Sequence, residues 1–296
     1  MDIISLYKDY NVHYVTEGHK HCRPGWVQVP CPFCTGNPGY HLGYDTILDR
    51  YVCWRCGGHY PPKVIATLLT ISFGEAMKVI HTYGSTIRIE TVKKIGKKIF
   101  KLPESMILQK NHRSYLEQRN FDPDKLIQEW NITGTGVYAK VGKIDYKHRI
   151  LIPFTWDGQI VSFDSRDITN RAKNKYMACE EAREIIPHKH ILYGRSDKWG
   201  STGICVEGPT DVWRMGVNSA AVSGIKYTIY QVRLLASLFK RVPVLFDGGE
   251  SQAITQANKL VADLRFRGVD SFRVDITGDP GGLSEEEAKY LVKQLV

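Results

Sequence analysis

Beyond Lys198, short apolar runs and segments of helical period take strict turns. The runs at 203–206, 219–222, 242–246 and 271–276 have the length of strands, and helical patterns follow them from Asp211, at 230–239, at 251–267 and from Ser284. Alternation of this kind predicts a mostly parallel sheet covered by helices. The stretch before it reads as α+β: helical signals at 112–119 and 122–130, then strands at 149–155 and 159–165 joined by a hairpin turn at Asp157 and Gly158. The first 84 residues end in helical patterning at 62–69, and Ser72 with Glu75 has the form of a capping box that opens a second helix.

Between these regions the pattern weakens. At 85–110, Arg88, Lys93, Lys94, Lys97, Lys98, Lys101 and Lys110 face only Glu90 and Glu104. This is a basic linker, either flexible or an ordered arm on the surface. The expected organisation is an α/β protein with an N-terminal module at 1–84, the linker at 85–110, an α+β subdomain at 111–200 and the parallel α/β domain at 201–296. No internal repeat or low-complexity tract interrupts it.

Composition narrows the class of partner. Lys and Arg number 40 against 31 acids, a net charge of +9, which favours a polyanion. The N-terminus has neither a basic region followed by an apolar stretch nor any run long enough to span a membrane, so a soluble, cytoplasmic protein without membrane contact is expected. Seven cysteines in such a chain point to metal binding and not to a disulfide framework.

Four of them form two CxxC pairs, Cys31 with Cys34 and Cys53 with Cys56, separated by eighteen residues. Each pair supplies two thiolates at the bite of a tetrahedral Zn²⁺ site, and Gly57 and Gly58 free the chain to turn beneath it, the form of a zinc ribbon. His59 is a poor candidate beside a complete set of four, and His19, His21 and Cys22 read as solvated residues near the finger. Trp54 and Arg55, with Arg50 and Tyr51, suit stacking on unpaired bases, or packing on the ribbon. Cys179 and Cys205 look structural.

The other chemistry lies at the strand ends, where ligands gather in parallel α/β sheets. Glu207 follows one strand, Asp247 ends another and Asp279 follows a third. Three converging acids repel one another unless a cation neutralises them, and oxygen ligands select Mg²⁺ or Mn²⁺. Asp211 is open between helix capping and metal binding. Glycines at 208, 248, 249 and 278 leave room for phosphate to approach the backbone.

Together these segments resemble DNA primases of the bacterial and bacteriophage type, nearly end to end. Cys31-Pro32-Phe33-Cys34 and Tyr51-Val52-Cys53-Trp54-Arg55-Cys56-Gly57 are similar to the family's zinc motif in its four-cysteine form. Tyr115-Leu116-Glu117-Gln118-Arg119 resembles the YLxxRG segment that opens the polymerase domain, with Asn120 in place of the glycine. Arg149-Ile150-Leu151-Ile152-Pro153-Phe154, Ser165-Arg166 and Lys175-Tyr176 resemble its basic block, and Val206-Glu207-Gly208 with Asp211 its TOPRIM motif.

The resemblance implies a TOPRIM domain at 201–296 and a DNA-dependent RNA polymerase that makes RNA primers from NTPs on single-stranded DNA for replication. It places Glu207, Asp211, Asp247 and Asp279 at the catalytic metal, and Arg149, Arg166 and Lys175 at substrate and template. Gly249 stands where the second acid of a DxD pair belongs, with Glu250 as its possible substitute, and Gly281 where another metal-site acid often lies. No P-loop is present, so a replicative helicase would be a separate partner. A phage origin would put the protein in its host's cytoplasm. A zinc and TOPRIM DNA clamp of the recombination-mediator kind and a TOPRIM nuclease are the rival readings.

Overall fold

The computed structural model describes residues 1–35, 39–83 and 100–296. The chain divides into two compact units, Met1–Gly96 with Arg265–Gly268, and Lys97–Leu264 with Val269–Val296. Most of the basic stretch at 85–110, including Arg88, Lys93, Lys94, Lys97 and Lys98, lies outside the described residues.

In the first unit, α1 (Ile3–Asp9) precedes an antiparallel meander of β1 (Trp26–Val29), β2 (Leu42–Asp45), β3 (Arg50–Cys53) and β4 (Gly57–His59), in that spatial order. These strands are too short to display alternation in the sequence, so periodicity does not announce them. Helices α2 (Pro61–Leu69) and α3 (Phe73–Tyr83) follow. Leu6, Tyr7, Val27, Val29, Leu42, Tyr44, Tyr51, Val64 and Ile65 form the core, where the hydroxyls of Tyr7 and Tyr51 satisfy each other at 2.7 Å. Thr70, left-handed at φ 56°, ends α2. The expected capping box then starts α3: Ser72 N–H donates to Glu75 at 2.9 Å, and Glu75 N–H to Ser72 Oγ at 3.2 Å.

The second unit opens with α4 (Lys110–Glu117) and α5 (Pro123–Trp130), then the short strand β5 (Thr133–Gly134) and the small hairpin β6 (Lys140–Val141) and β7 (Ile144–Asp145). The long hairpin of β8 (Arg149–Trp156) and β9 (Gln159–Asp167) follows. Its turn uses Asp157 at φ 48° and Gly158 at φ 75°, both in the left-handed region that a tight hairpin requires.

Next come β10 (Tyr193–Gly194), β11 (Ile204–Val206), α6 (Pro209–Met215), β12 (Ser219–Ala221), α7 (Ile229–Leu238), β13 (Arg241–Leu245), α8 (Ser251–Phe266), β14 (Asp270–Arg273) and α9 (Glu285–Leu295). The strands form one sheet in the order β10-β12-β11-β13-β14; β10 is an antiparallel edge and the other pairings are parallel.

The period-2 geometry of a strand explains why β11 and 242–245 of β13 are apolar throughout. Ile204, Val206, Ala221 and Leu245 face one side, with Val212 and Met215 of α6 and Ala288 of α9. Cys205, Ala220, Val242 and Val244 face the other, with Val232 of α7 and Leu260 of α8. A sheet covered on both faces has no solvated face to encode. Among the described residues no single helix is long and apolar enough to cross a membrane; α2 and α3 meet that test only as a pair bent by 107°.

Candidate functional site

In the first unit, Cys31 and Cys34 lie in the turn after β1, Cys53 closes β3 and Cys56 precedes β4. Pairing of β3 with β4 sets Cys53 opposite Gly57, whose φ of 87° lets the chain fold back under the sulfurs. All four Sγ atoms lie within 4.8 Å of one another. Cys31 and Cys56 are 3.6 Å apart, Cys34 and Cys53 3.5 Å, and Cys34 and Cys56 3.4 Å. Zn–S bonds of about 2.3 Å at tetrahedral angles require S–S separations of about 3.8 Å. The donor set therefore fits zinc in both chemistry and spacing. The Arg55 N–H points at Cys53 Sγ from 3.4 Å, and His59 Nε2 is 3.1 Å from Cys56 Sγ, beside the complete set of four.

Trp54 is partly covered. The Arg23 guanidinium lies 4.1 Å over its ring, and Trp26 is tilted against it at 5.6 Å. Arg55 is exposed.

The second unit contains a cleft of about 410 Å³ lined by Glu207, Asp211, Asp247 and Asp279, with Arg119, Asp164, Arg166, Lys175 and Tyr176 among its other walls. Sheet order explains its position. From β11 the chain steps to β12 on one side, then crosses back to β13 on the other, so the strand order reverses between β11 and β13. Connections diverge there and leave a crevice beyond the strand ends. Glu207 directly follows β11 and Asp247 lies just past β13, and the Asp247 N–H donates to the Glu207 carboxylate at 2.8 Å.

The backbone around the acids is tightly fitted. The Gly224 N–H donates to the Glu207 carbonyl at 2.7 Å, and Gly248 N–H to the Gly278 carbonyl at 3.1 Å. A Cβ on Gly248 would sit 1.9 Å from the Ile276 carbonyl oxygen, a position that only glycine can occupy. Gly248→Ala should therefore lower stability by about 2 kcal/mol or more and displace Asp247; an unchanged thermal midpoint would show that the loop accommodates the methyl. Lys189 braces the same neighbourhood, donating to the carbonyls of Val222, Ser223 and Lys226 at 3.1, 2.8 and 2.7 Å.

Burial pushes Glu207 above the ordinary glutamate range; the Asp247 N–H partly offsets this, and the charges of Asp247, Glu250 and Asp279 add to it. Burial and then the neighbouring Asp279 hold Asp211 well above the usual aspartate range. The Asp211 carboxylate also accepts the Gly208 N–H at 2.8 Å, so the residue caps its helix while lining the cleft. Asp279 accepts the Gly281 N–H at 3.0 Å. Among the described residues the cysteines alone form a group of three or more whose ligand atoms all lie within 4.8 Å of one another.

Opposite the acids, Arg166 Nε donates to the Tyr115 hydroxyl at 2.8 Å and its guanidinium lies 4.6 Å from the Tyr176 ring centre. Tyr176 bonds Thr210 at 3.1 Å, and burial pushes its phenol up to about 12, so it stays neutral. Asp164 is buried in the same wall and pushed up to about 6 by that burial.

Two of the expected site residues lie elsewhere. Arg149 is buried and is not part of the cleft wall; its guanidinium donates to the carbonyls of Ser165 and Lys175, both at 3.3 Å, and of Asn174 at 3.0 Å. Its neighbours are main-chain oxygens that need a multi-pronged donor, which places it in the scaffold that carries Arg166 and Lys175. Arg149→Met should cost about 3 kcal/mol in chemical denaturation by stranding these acceptors; wild-type stability would mean that water replaces the guanidinium. Glu250 is exposed just before α8 and outside the cleft lining. Arg119, Asp164, Tyr176 and Lys189 were not singled out as site residues by sequence reasoning. Arg119 and Tyr176 stand inside the YLEQR and KY segments, so only their roles were missed, whereas no local pattern marks Asp164 or Lys189.

No protein-family model matches the sequence, and no curated protein does. Solved structures do. The structure is similar to the zinc-binding and RNA polymerase domains of the Aquifex aeolicus primase over 99% of this chain and 83% of that one, with a TM-score of 0.55 and 19% identity. It is similar to a DnaG primase catalytic domain bound to single-stranded DNA over 62% of this chain and 71% of that one, with a TM-score of 0.52 and 19% identity. A DNA primase domain from Pseudomonas aeruginosa matches over 63% of this chain and 72% of that one, with a TM-score of 0.51 and 17% identity. At such identities the likeness is one of architecture, and in that respect the chain has the fold of the zinc-binding and RNA polymerase domains of DnaG-type primases.

Proposed function

We propose that the protein is a DNA primase, a nucleotidyltransferase that condenses NTPs into short RNA primers on single-stranded DNA. The observation that carries this reading is the cleft at the strand-order reversal, where Glu207, Asp211, Asp247 and Asp279 meet Arg119, Arg166 and Lys175 within about 410 Å³. A primase fold supports it. In this reading residues 201–296 are a TOPRIM domain, and residues 1–84 are a Zn²⁺ module that selects the template.

The acids suit Mg²⁺ or Mn²⁺. They offer oxygen only, and the raised Glu207 and Asp211 mark a negative cluster that a hard divalent cation relieves. Held there by Glu207, Asp247 and Asp279, such a cation would supply polarisation of phosphoryl oxygens and a lowered pKa for an attacking 3′-hydroxyl. The chain's own residues do the rest. The Asp247 N–H holds the Glu207 carboxylate at 2.8 Å and the Gly249 N–H holds the Asp247 carboxylate at 2.8 Å, so two ligand carboxylates are positioned before substrate arrives. Arg166, steadied by Tyr115 and Tyr176, presents a fixed guanidinium to a triphosphate or template phosphate, and Lys175 adds a point charge. Lys189 holds the loop that braces the Glu207 backbone.

The test is to incubate the full chain with a single-stranded template, Mg²⁺ and labelled NTPs. Template-dependent oligoribonucleotides are expected. Cleaved template without RNA would instead identify a nuclease, and binding without either product a clamp. A replicative helicase would act as a separate partner.

A further inference from the structure

The four sulfurs of the first unit are not equally sheltered. Cys53 is buried, Cys31 and Cys34 are half-buried and Cys56 is exposed. An electrophile therefore meets this site first at Cys56. Cys53 takes the Arg55 N–H at 3.4 Å, whereas Cys56 faces a side chain, His59, whose Nε2 is 3.1 Å from its sulfur. A zinc-bound cysteine is a thiolate and has no proton to give. The proton between Nε2 and Sγ then sits on nitrogen, so His59 donates and the sulfur accepts. Hydrogen bonds to an ionised acceptor are the stronger kind.

Two contacts hold the imidazole in this position. The main chain of His59 lies opposite Tyr51, where β4 pairs with β3. Its ring stacks on Phe33, with centroids 4.4 Å apart and planes 23° from parallel. Phe33 stands between Cys31 and Cys34, so the ring that orients His59 belongs to the other ligand pair. His59 therefore touches both CxxC turns, one through its ring face and the other through Nε2. It is not a fifth member of the set: the group whose ligand atoms all lie within 4.8 Å of one another holds the four cysteines without His59. Donors placed behind a metal ligand orient that ligand and tune its affinity for the metal.

We infer that His59 is a positioning residue for the zinc site, which donates Nε2–H to the Cys56 thiolate, holds that exposed ligand on the metal and lowers its reactivity toward electrophiles. The inference rests on the reading of residues 1–84 as a Zn²⁺ module and adds to it a residue outside the four ligands. Wild-type protein without zinc would sink the module and the inference together. Zinc-bound protein indifferent to the side chain at 59 would sink the inference alone.

Zinc-loaded full-length protein is compared with His59→Phe, which keeps a ring to stack on Phe33 but has no N–H, and with His59→Gln, whose amide N–H reaches the region of Nε2. His59→Phe should still carry one zinc per chain, bound about 10-fold more weakly in competition with a chelator. Its Cys56 sulfur should displace iodide from iodoacetamide, forming the S–C bond, several-fold faster than in wild type, with initial rates read by peptide mass spectrometry. In the cobalt-substituted protein the sulfur-to-metal charge-transfer band should move to lower energy, because the thiolate lone pairs have lost their donor. His59→Gln should stay near wild type in all three measurements. Thermal midpoints of the zinc-loaded proteins establish that each variant is folded. If His59→Phe matches wild type in zinc affinity, alkylation and cobalt spectrum, His59 is a surface ring stacked on Phe33 and the inference is wrong. Loss of zinc from His59→Phe, or a His59→Gln protein as weak as His59→Phe, would also overturn it: the first would make His59 a ligand, and the second would show that the donated proton is not what matters.

Discussion

Glu207→Gln and Asp247→Asn should each reduce primer synthesis about 100-fold or more while single-stranded DNA binds as well as before or tighter. Both substitutions keep size and hydrogen-bonding capacity and delete one charge. In Glu207→Gln the amide oxygen still accepts the Asp247 N–H now 2.8 Å away, so the β11 and β13 ends keep their geometry. The quantity expected to fall is affinity for the divalent cation proposed at the reacting phosphate. Removing a negative charge from a cleft that also presents Arg166 and Lys175 does not weaken DNA binding. Glu250→Gln is the control: exposed and outside the cleft lining, Glu250 acts on Glu207 through space, so its loss should change synthesis by less than about 3-fold. Equal damage at 250 and 247 would mean that Glu250 swings in to complete the metal site.

Loss of zinc should be the largest perturbation of the first unit. Purified protein is expected to carry one zinc per chain, and Cys53→Ser to lose it together with ordered structure around Val29, Leu42 and Tyr51, which share the cluster containing Cys53. Structural zinc contributes about 10–16 kcal/mol of binding free energy in small modules, more than a core of this size can replace. Cys22→Ser, outside the four-sulfur group, should keep the metal. Metal analysis and thermal unfolding measure both; a zinc-free Cys53→Ser protein with an unchanged unfolding profile would show that the strands fold without the metal.

The parallel sheet was legible because its central strands are buried on both faces. Ile204 to Val206 and Val242 to Leu245 admit no polar residue until the strand leaves the sheet, and Glu207 and Asp247 mark those exits. The same rule exposed the acids of the cleft. The first-unit strands were illegible, since β4 contains two glycines and β1 to β3 are only four residues long. The zinc ligands were still readable, because CxxC spacing is a covalent constraint that does not depend on strand length. Arg149 defeated sequence reasoning for another reason: a basic residue opening an apolar run looks like a phosphate contact, and only the tertiary approach of residues 165, 174 and 175 gives its guanidinium three carbonyls instead. Lys189 and Asp164 owe their positions to segments distant in sequence, so no local pattern could mark them.

In the proposed activity the carboxylate cleft joins ribonucleotides on a single-stranded template. The direct measurement is synthesis without any added primer: labelled NTPs and an unprimed template, with the wild-type chain and Glu207→Gln side by side, in Mg²⁺ or Mn²⁺ and in chelator. Short RNA chains are expected from the wild type with either cation, none in chelator, and almost none from Glu207→Gln. Equal product from wild type and Glu207→Gln, or no RNA from a zinc-loaded wild-type protein that binds the template, would contradict it.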